Sequence, residues 1–136
     1  SREAWLEVIV ATSNGDTLFS VGNIANDDTL DYQNQNLMFF TAILYDQDNQ
    51  QGNIVYEPSN ALSYTNHSLK IGMSESKTYS INLLNTGLES GDALHINTRM
   101  LFRAFKPQML DQFHTESVQH IPIITMSTND TIFTIP

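Results

Sequence analysis

Two arginines four residues apart have a residue type and a spacing that could serve chemistry. Arg99 and Arg103 lie in the stretch LHINTRMLFRAFKP, in which apolar and polar residues alternate from residue 94 to residue 103. Alternation of period two indicates a half-buried strand, so both guanidinium groups project from one face, about 13 Å apart. Such a pair could bind an acid. The simpler interpretation is cross-strand pairing with some of the chain's 15 acidic residues.

The four histidines share no metal-ligand spacing of the HxH or HxxxH type. His114 and His120 flank the end of a predicted helix and are interpreted as surface or capping residues. His67 lies in a loop, and His95 lies on the polar face of the long strand. Either His67 or His95 could reach a haem held by another segment or chain.

Oxygen-bearing residues between positions 46 and 57 have a spacing related to that of a calcium loop. Asp46, Asp48, Gln50 and Glu57 fall at offsets 1, 3, 5 and 12, although Gly52 stands at offset 7 instead of 6. A polar hairpin turn would need the same types of residue. The sequence leaves both interpretations open, so calcium is a possible cofactor.

Composition excludes several classes of function. The chain has no cysteine, which removes thiol nucleophiles, disulfides and CxxCH haem attachment, and no serine lies in a GxSxG elbow. With 15 acidic and 6 basic residues the net charge is −9, which disfavours nucleic acid and anionic membranes. No apolar run reaches the roughly 18 residues of a spanning helix. We therefore expect a protein that is not an enzyme, does not bind nucleic acid and does not insert into a membrane.

The elements that must position these residues are mostly strands. Asn14-Gly15 between two alternating runs predicts a hairpin, and a surface loop is expected from 22 to 36. A short helix should begin at Pro107 and extend to about residue 115. Further strands or extended segments are predicted at 37–45, 53–58, 78–84 and 121–127, with a turn at 128–130 before a final short strand. Together these elements predict one all-β domain over 1–136, an antiparallel immunoglobulin-like β-sandwich.

Three groups of residues resemble a known family. Ser1, Arg2, Ala4, Trp5, Leu6 and Val8 match an SRRAWLxV strand; Leu101, Arg103, Phe105 and Pro107 match an LxRxFPP strand end; Pro122 and Ile123 match a (V/I)PI strand. These patterns resemble the haem-free β-rich domain of exported multihaem c-type cytochromes. Glu3 stands where that family has an arginine, and Lys106 stands where it has the first proline.

The resemblance implies a fragment or separated part of a longer electron-transfer protein. Haem c would then be carried by a partner or a missing segment, and the setting would be extracellular, at the cell surface or periplasmic. The function expected from it is a structural or docking role. The alternative is a carbohydrate-binding or adhesive sandwich, suggested by the Asn-rich loop 22–36, the acidic turn 46–52 and four tyrosines: Tyr32, Tyr45, Tyr56 and Tyr64.

The first strand carries a prediction about partners. Both of its faces are largely apolar, which is typical of a strand with neighbours on both sides. The hairpin supplies one neighbour, whereas the preceding strand of the resembling family is missing. We therefore expect a haem-bearing cytochrome segment or a neighbouring subunit to pair with residues 4–11 by strand addition. The predicted interface consists of Trp5, Leu6, Val8, Ile9 and Val10.

Overall fold

The structure, a computed structural model, describes residues 2–26, 28–110 and 121–136. Within these ranges the chain forms two antiparallel sheets and one short helix, a sandwich-like all-β fold that confirms the predicted class. None of the described helices is long and apolar enough to cross a membrane. The elements are β1 (Glu3–Thr12), β2 (Thr17–Val21), β3 (Phe39–Phe40), β4 (Ala42–Tyr45), β5 (Ile54–Val55), β6 (Ser63–Asn66), β7 (Ala93–Arg103), α1 (Pro107–Leu110) and β8 (Ile124–Thr134).

The larger sheet has the order β2-β1-β7-β8, and β3 pairs with β1 beyond the end of β2. The predicted hairpin joins β1 to β2, with Gly15 at a φ of 88°, where glycine avoids the steric penalty of a side chain. The long predicted strand is β7. It pairs with β1 from Arg103 opposite Glu3 to Leu94 opposite Thr12, so these two long strands form the centre of the sheet.

The predicted strand addition at β1 is wrong, because this chain supplies both of its neighbours. One edge is covered by β7, and the other by β2 at Val8–Ala11 and by β3 at Ala4 and Trp5. Between them, the Leu6 amide donates to the Met38 carbonyl oxygen at 2.9 Å. The missing neighbours come from sequence positions 39–40 and 93–103, which the local pattern could not pair with β1.

The residues proposed as that interface face the interior of the chain instead. Trp5, Val8 and Val10 are buried in the main hydrophobic cluster, and Leu6 packs against it. Ile9 is partly buried opposite Ser20 and Asn97. The two apolar faces of β1 are explained by coverage within the chain.

The apolar run from 37 to 45 forms two strands in different sheets. It divides at Thr41, which is buried and donates through its hydroxyl to the Arg2 carbonyl oxygen at 2.8 Å. β3 joins the larger sheet, whereas β4 is the centre of the smaller one, whose order is β5-β4-β6. A continuous apolar run cannot reveal this break, because both halves are apolar.

Two other strand predictions also need correction. Residues 78–84 form no strand, although Tyr79, Ile81 and Leu83 pack against the core as their alternation predicted. Residues 124–134 form one continuous strand, without the predicted turn at 128–130. Asn129 and Asp130 pair with Thr98 and Asn97 of β7, so these turn-forming residue types lie within a ladder.

The predicted helix begins at Pro107 as α1 and is described as far as Leu110. The rest of the predicted helix, to residue 115, lies outside the described residues, as do His114 and His120. The loop 22–36 is anchored to the core, because Leu30 is buried and Ile24 and Tyr32 pack against the hydrophobic cluster. That loop brings Tyr32 next to the start of β1.

Candidate functional site

His67 lies immediately after β6, an edge strand of the smaller sheet, and its ring contacts Phe39 of β3 in the larger sheet. Its backbone amide donates to the Thr41 carbonyl oxygen at 3.0 Å, which places the residue beside the junction of β3 and β4. The imidazole is exposed, and its Nε2 atom lies 3.2 Å from the Thr65 hydroxyl. The position of the ring is therefore set by the short strands around it.

Three rings form a continuous row at this place, which we call the Tyr32–Phe39–His67 row. The Tyr32 and Phe39 ring centroids are 4.8 Å apart with planes tilted by 51°, and the Phe39 and His67 centroids are 4.8 Å apart with a 50° tilt. Such tilted contacts are favourable for aromatic pairs. The row leads from the partly buried Tyr32 to the exposed His67.

Two concavities adjoin the row. One of about 320 Å³ is bordered by Phe39, His67 and Met73, and the other of about 360 Å³ is bordered by Tyr32, His67 and Lys77. The Lys77 ammonium donates to the Gln35 carbonyl oxygen, which joins the two loops that form the second concavity. An exposed imidazole that borders two partly apolar hollows can contact the edge of a flat ligand bound in either of them.

Behind the row, Glu3 and Arg103 form an ion pair with both side chains fully buried. The second Glu3 oxygen accepts the Tyr32 hydroxyl at 2.5 Å. The Arg103 Nη1 group donates to the carbonyl oxygens of Asn26 and Asp28, and the guanidinium lies over the Trp5 ring at 5.3 Å from its centroid. These partners compensate much of the cost of burying the two charges.

Lys106 completes the buried charge cluster. Its ammonium donates to the Ala42 carbonyl oxygen at 2.7 Å and lies 5.2 Å from the Tyr32 ring centroid. Burial lowers the pKa of Lys106. Burial, reinforced by the nearby Glu3 carboxylate, raises the pKa of Tyr32 far above its ordinary value. Tyr32 thus connects the buried charge cluster to the exposed end of the row.

The ion pair of Arg99 is more exposed than that of Arg103. Arg99 donates from Nε and Nη2 to the two oxygens of Glu7, at 2.6 and 2.9 Å. The Arg99 side chain is 39% exposed, whereas Glu7 is buried. This hydrogen bond to Glu7 raises the pKa of Arg99. Cross-strand pairing of both arginines is therefore confirmed, although the predicted polar face is buried at its Arg103 end.

The residues of the possible calcium site form a polar hairpin. Both carboxylate oxygens of Asp46 accept hydrogen bonds from Asn53, one from the backbone amide at 2.8 Å and one from the side-chain amide at 3.0 Å. Asp48 and Gln50 lie in the short turn that follows, and Glu57 accepts from Asn60 at 3.2 Å. Among the described residues, no three His, Cys, Asp or Glu side chains are grouped closely enough to hold a metal.

The second candidate histidine lies in a different environment. His95 is exposed on β7, between Ala11 of β1 and Ile132 of β8. It borders neither of the two concavities beside His67, so the structure does not group His67 with His95. Sequence reasoning missed Tyr32 and Phe39 as neighbours of His67, because no local pattern relates positions 32, 39 and 67.

The comparisons with known proteins give no relatives. No protein-family model matches the chain, and neither a curated protein nor a solved structure is significantly similar to it.

Proposed function

We propose that this chain is a non-catalytic docking domain of an exported multihaem electron-transfer assembly, and that the surface around His67 contacts a haem carried by a partner. The proposal starts from the sequence resemblance described above. It places the protein outside the cell, at its surface or in the periplasm. The non-catalytic role follows from the lack of catalytic motifs in the sequence.

The observation that carries the proposal is the exposed imidazole at the end of the Tyr32–Phe39–His67 row. A haem presents a flat apolar edge and, where one axial position is open, an iron that binds imidazole. Phe39 and Met73 offer apolar contact beside His67. The Thr65 hydroxyl is the ring's hydrogen-bond partner, and it fixes the orientation of the imidazole.

The residues present fit contact with a partner's haem better than enclosure of a haem of their own. The chain has no cysteine for covalent attachment, and the two concavities bordered by His67 are open surface hollows. The buried cluster of Glu3, Arg103 and Lys106 lies behind the row and supports Tyr32. This cluster holds the proposed docking surface rigid.

A haem c peptide that carries one histidine ligand and one open axial position tests this proposal. Titration of the peptide with the protein should convert the Soret band to that of a six-coordinate, bis-histidine haem. His67→Ala should abolish the change, and His95→Ala, the same substitution on β7, should leave it unchanged. An absent response, or an identical response from His67→Ala, would contradict the proposal.

The carbohydrate-binding alternative predicts a different outcome. Of the four tyrosines that suggested a carbohydrate site, Tyr64 is exposed, whereas Tyr32, Tyr45 and Tyr56 are partly buried. The Tyr32 hydroxyl also donates a hydrogen bond to Glu3. Calcium-dependent binding on a glycan array, together with an unchanged Soret band, would favour that alternative over the docking domain.

A further inference from the structure

The far edge of the larger sheet is formed by the long strand β8. β8 pairs with β7 along one edge, and among the described residues no strand pairs with its other edge. All eleven residues of β8 are exposed, on both faces of the sheet. At the usual rise per residue the strand presents about 36 Å of backbone, in which every second residue directs its amide and carbonyl groups outward.

This edge has few of the features that keep edge strands from pairing. Lysine, arginine, glutamate and proline are absent from β8, and its one charged residue, Asp130, accepts a hydrogen bond from Asn97. A bulge beside Met126 leaves the ladder regular from Ser127 to Thr134. Long regular edges without inward charges or prolines are templates for another strand.

We propose that the outer edge of β8 binds β8 of a second copy of this chain, antiparallel and centred on Asn129. The strand is apolar at both ends, with Ile124 and Met126 at one end and Ile132 and Phe133 at the other. In an antiparallel dimer, Ile124 and Met126 of one copy lie beside Ile132 and Phe133 of the other. The polar residues around Asn129 of the two copies then lie beside each other.

Charge also favours this arrangement over a parallel one. In the antiparallel register centred on Asn129, each Asp130 faces Thr128 of the other copy, and all eleven residues overlap. A parallel, in-register contact would place the two Asp130 carboxylates opposite each other, which is unfavourable. The antiparallel contact also closes on itself as a two-fold dimer, whereas a parallel one does not. This inference does not rest on the proposed function, because it concerns a different part of the molecule.

Sedimentation from micromolar to millimolar protein tests the association. We expect a monomer–dimer equilibrium that is strengthened by salt, because each copy carries a net charge of −9. Ile132→Lys should weaken dimerisation by about tenfold or more, because lysine on an edge opposes pairing. Ile71→Lys changes an apolar residue that is even more exposed but lies in a loop, and it should have no effect. A monomer at every concentration, or equal effects of the two variants, would overturn the proposal.

Disulfide cross-linking tests the register of the two strands. Because the sequence has no cysteine, any disulfide must form between the introduced residues. Residues directly opposite in an antiparallel pair have Cα atoms about 4.5–5.5 Å apart, within the range for a disulfide. Asn129→Cys should therefore form a covalent dimer under mild oxidation about tenfold faster than Thr125→Cys, because Thr125 faces Phe133 of the other copy in the antiparallel register but would face its own copy in a parallel, in-register pair. Equal rates for the two variants would overturn the register even if a dimer forms.

Discussion

The two sides of β7 differ in nearly every physical respect, although both are antiparallel ladders of similar length. On one side β1 carries Trp5, Val8 and Val10 into the core, together with the buried carboxylates of Glu3 and Glu7. On the other side all residues of β8 are exposed. Regular hydrogen bonding is thus common to both sides, and burial distinguishes them. Stability should come from the β1 side, while the β8 side remains available for contact.

The largest expected effect comes from removing a buried charge on the β1 side. Arg103→Ala leaves the Glu3 carboxylate buried without its partner, so we expect the free energy of unfolding to fall by about 3–5 kcal/mol. Arg99→Ala should cost less than this, because removal of the 39% exposed Arg99 side chain opens the buried Glu7 carboxylate to water. Urea unfolding of both variants measures the difference. Equal losses would show that burial does not distinguish the two pairs.

A second change tests how tightly the chain packs on β1. Gly22 has a φ of 72°, and an added Cβ would lie 2.6 Å from the Leu6 carbonyl oxygen and 3.0 Å from the Trp5 ring. We expect Gly22→Ala to lower the free energy of unfolding by about 1–3 kcal/mol. Gly72→Ala has a similar φ of 75° with no atom within 4 Å, so it should cost less. Thermal unfolding of the pair separates crowding from backbone strain.

Alkaline pH provides a third comparison. The folded chain keeps the Tyr32 phenol protonated at pH values at which the unfolded chain releases its proton, because burial raises its pKa. Folding therefore retains a proton, and stability should fall as the pH rises above about 10. Tyr56 and Tyr79, whose pKa values burial also raises, add to this loss.

Substitution isolates the Tyr32 contribution. Tyr32→Phe should reduce the loss of stability above about pH 10, measured by urea unfolding at several pH values. Burial lowers the pKa of Lys106, which acts in the opposite direction, since stability from that group rises with pH until the unfolded lysine loses its proton. Tyr64→Phe, at an exposed position on β6, is the control. An unchanged alkaline slope in Tyr32→Phe would refute the assignment.

The smallest effect is expected on β8. Asp130→Ala removes an exposed hydrogen bond to Asn97, so the free energy of unfolding should change by less than about 1 kcal/mol. The same urea titration measures it. A loss comparable to that of Arg103→Ala would mean that β8 contributes to stability as β1 does.

Sequence patterns predicted the parts of the fold in which local and global preferences agree. Asn14-Gly15 indicated the first hairpin, the alternation from 94 to 103 indicated β7, and Pro107 indicated the start of α1. Alternation at Tyr79, Ile81 and Leu83 identified buried side chains but not the absence of a ladder. Burial and pairing are separate properties, and the period reports only burial.

The errors came from contacts between distant positions. Nothing near residues 4–11 indicates that positions 39–40 and 93–103 will pair with them, so an internal neighbour was taken for an external one. Asn129 and Asp130 are turn-forming types, yet they pair with β7 where no burial selects against polar residues. His67 was identified as a candidate from its residue type, whereas its aromatic neighbours depend on the tertiary fold.

Hydrogen exchange along β7 tests the central claim, that burial fixes one side of this strand and leaves the other open. In an antiparallel sheet, successive β7 amides point alternately toward β1 and toward β8. At concentrations at which the chain is monomeric, amides bonded to β1 should exchange only through global unfolding, and those bonded to β8 should exchange faster through local opening. We therefore predict alternating protection along Ala93–Arg103 in residue-resolved NMR. Uniform protection along the strand would contradict it.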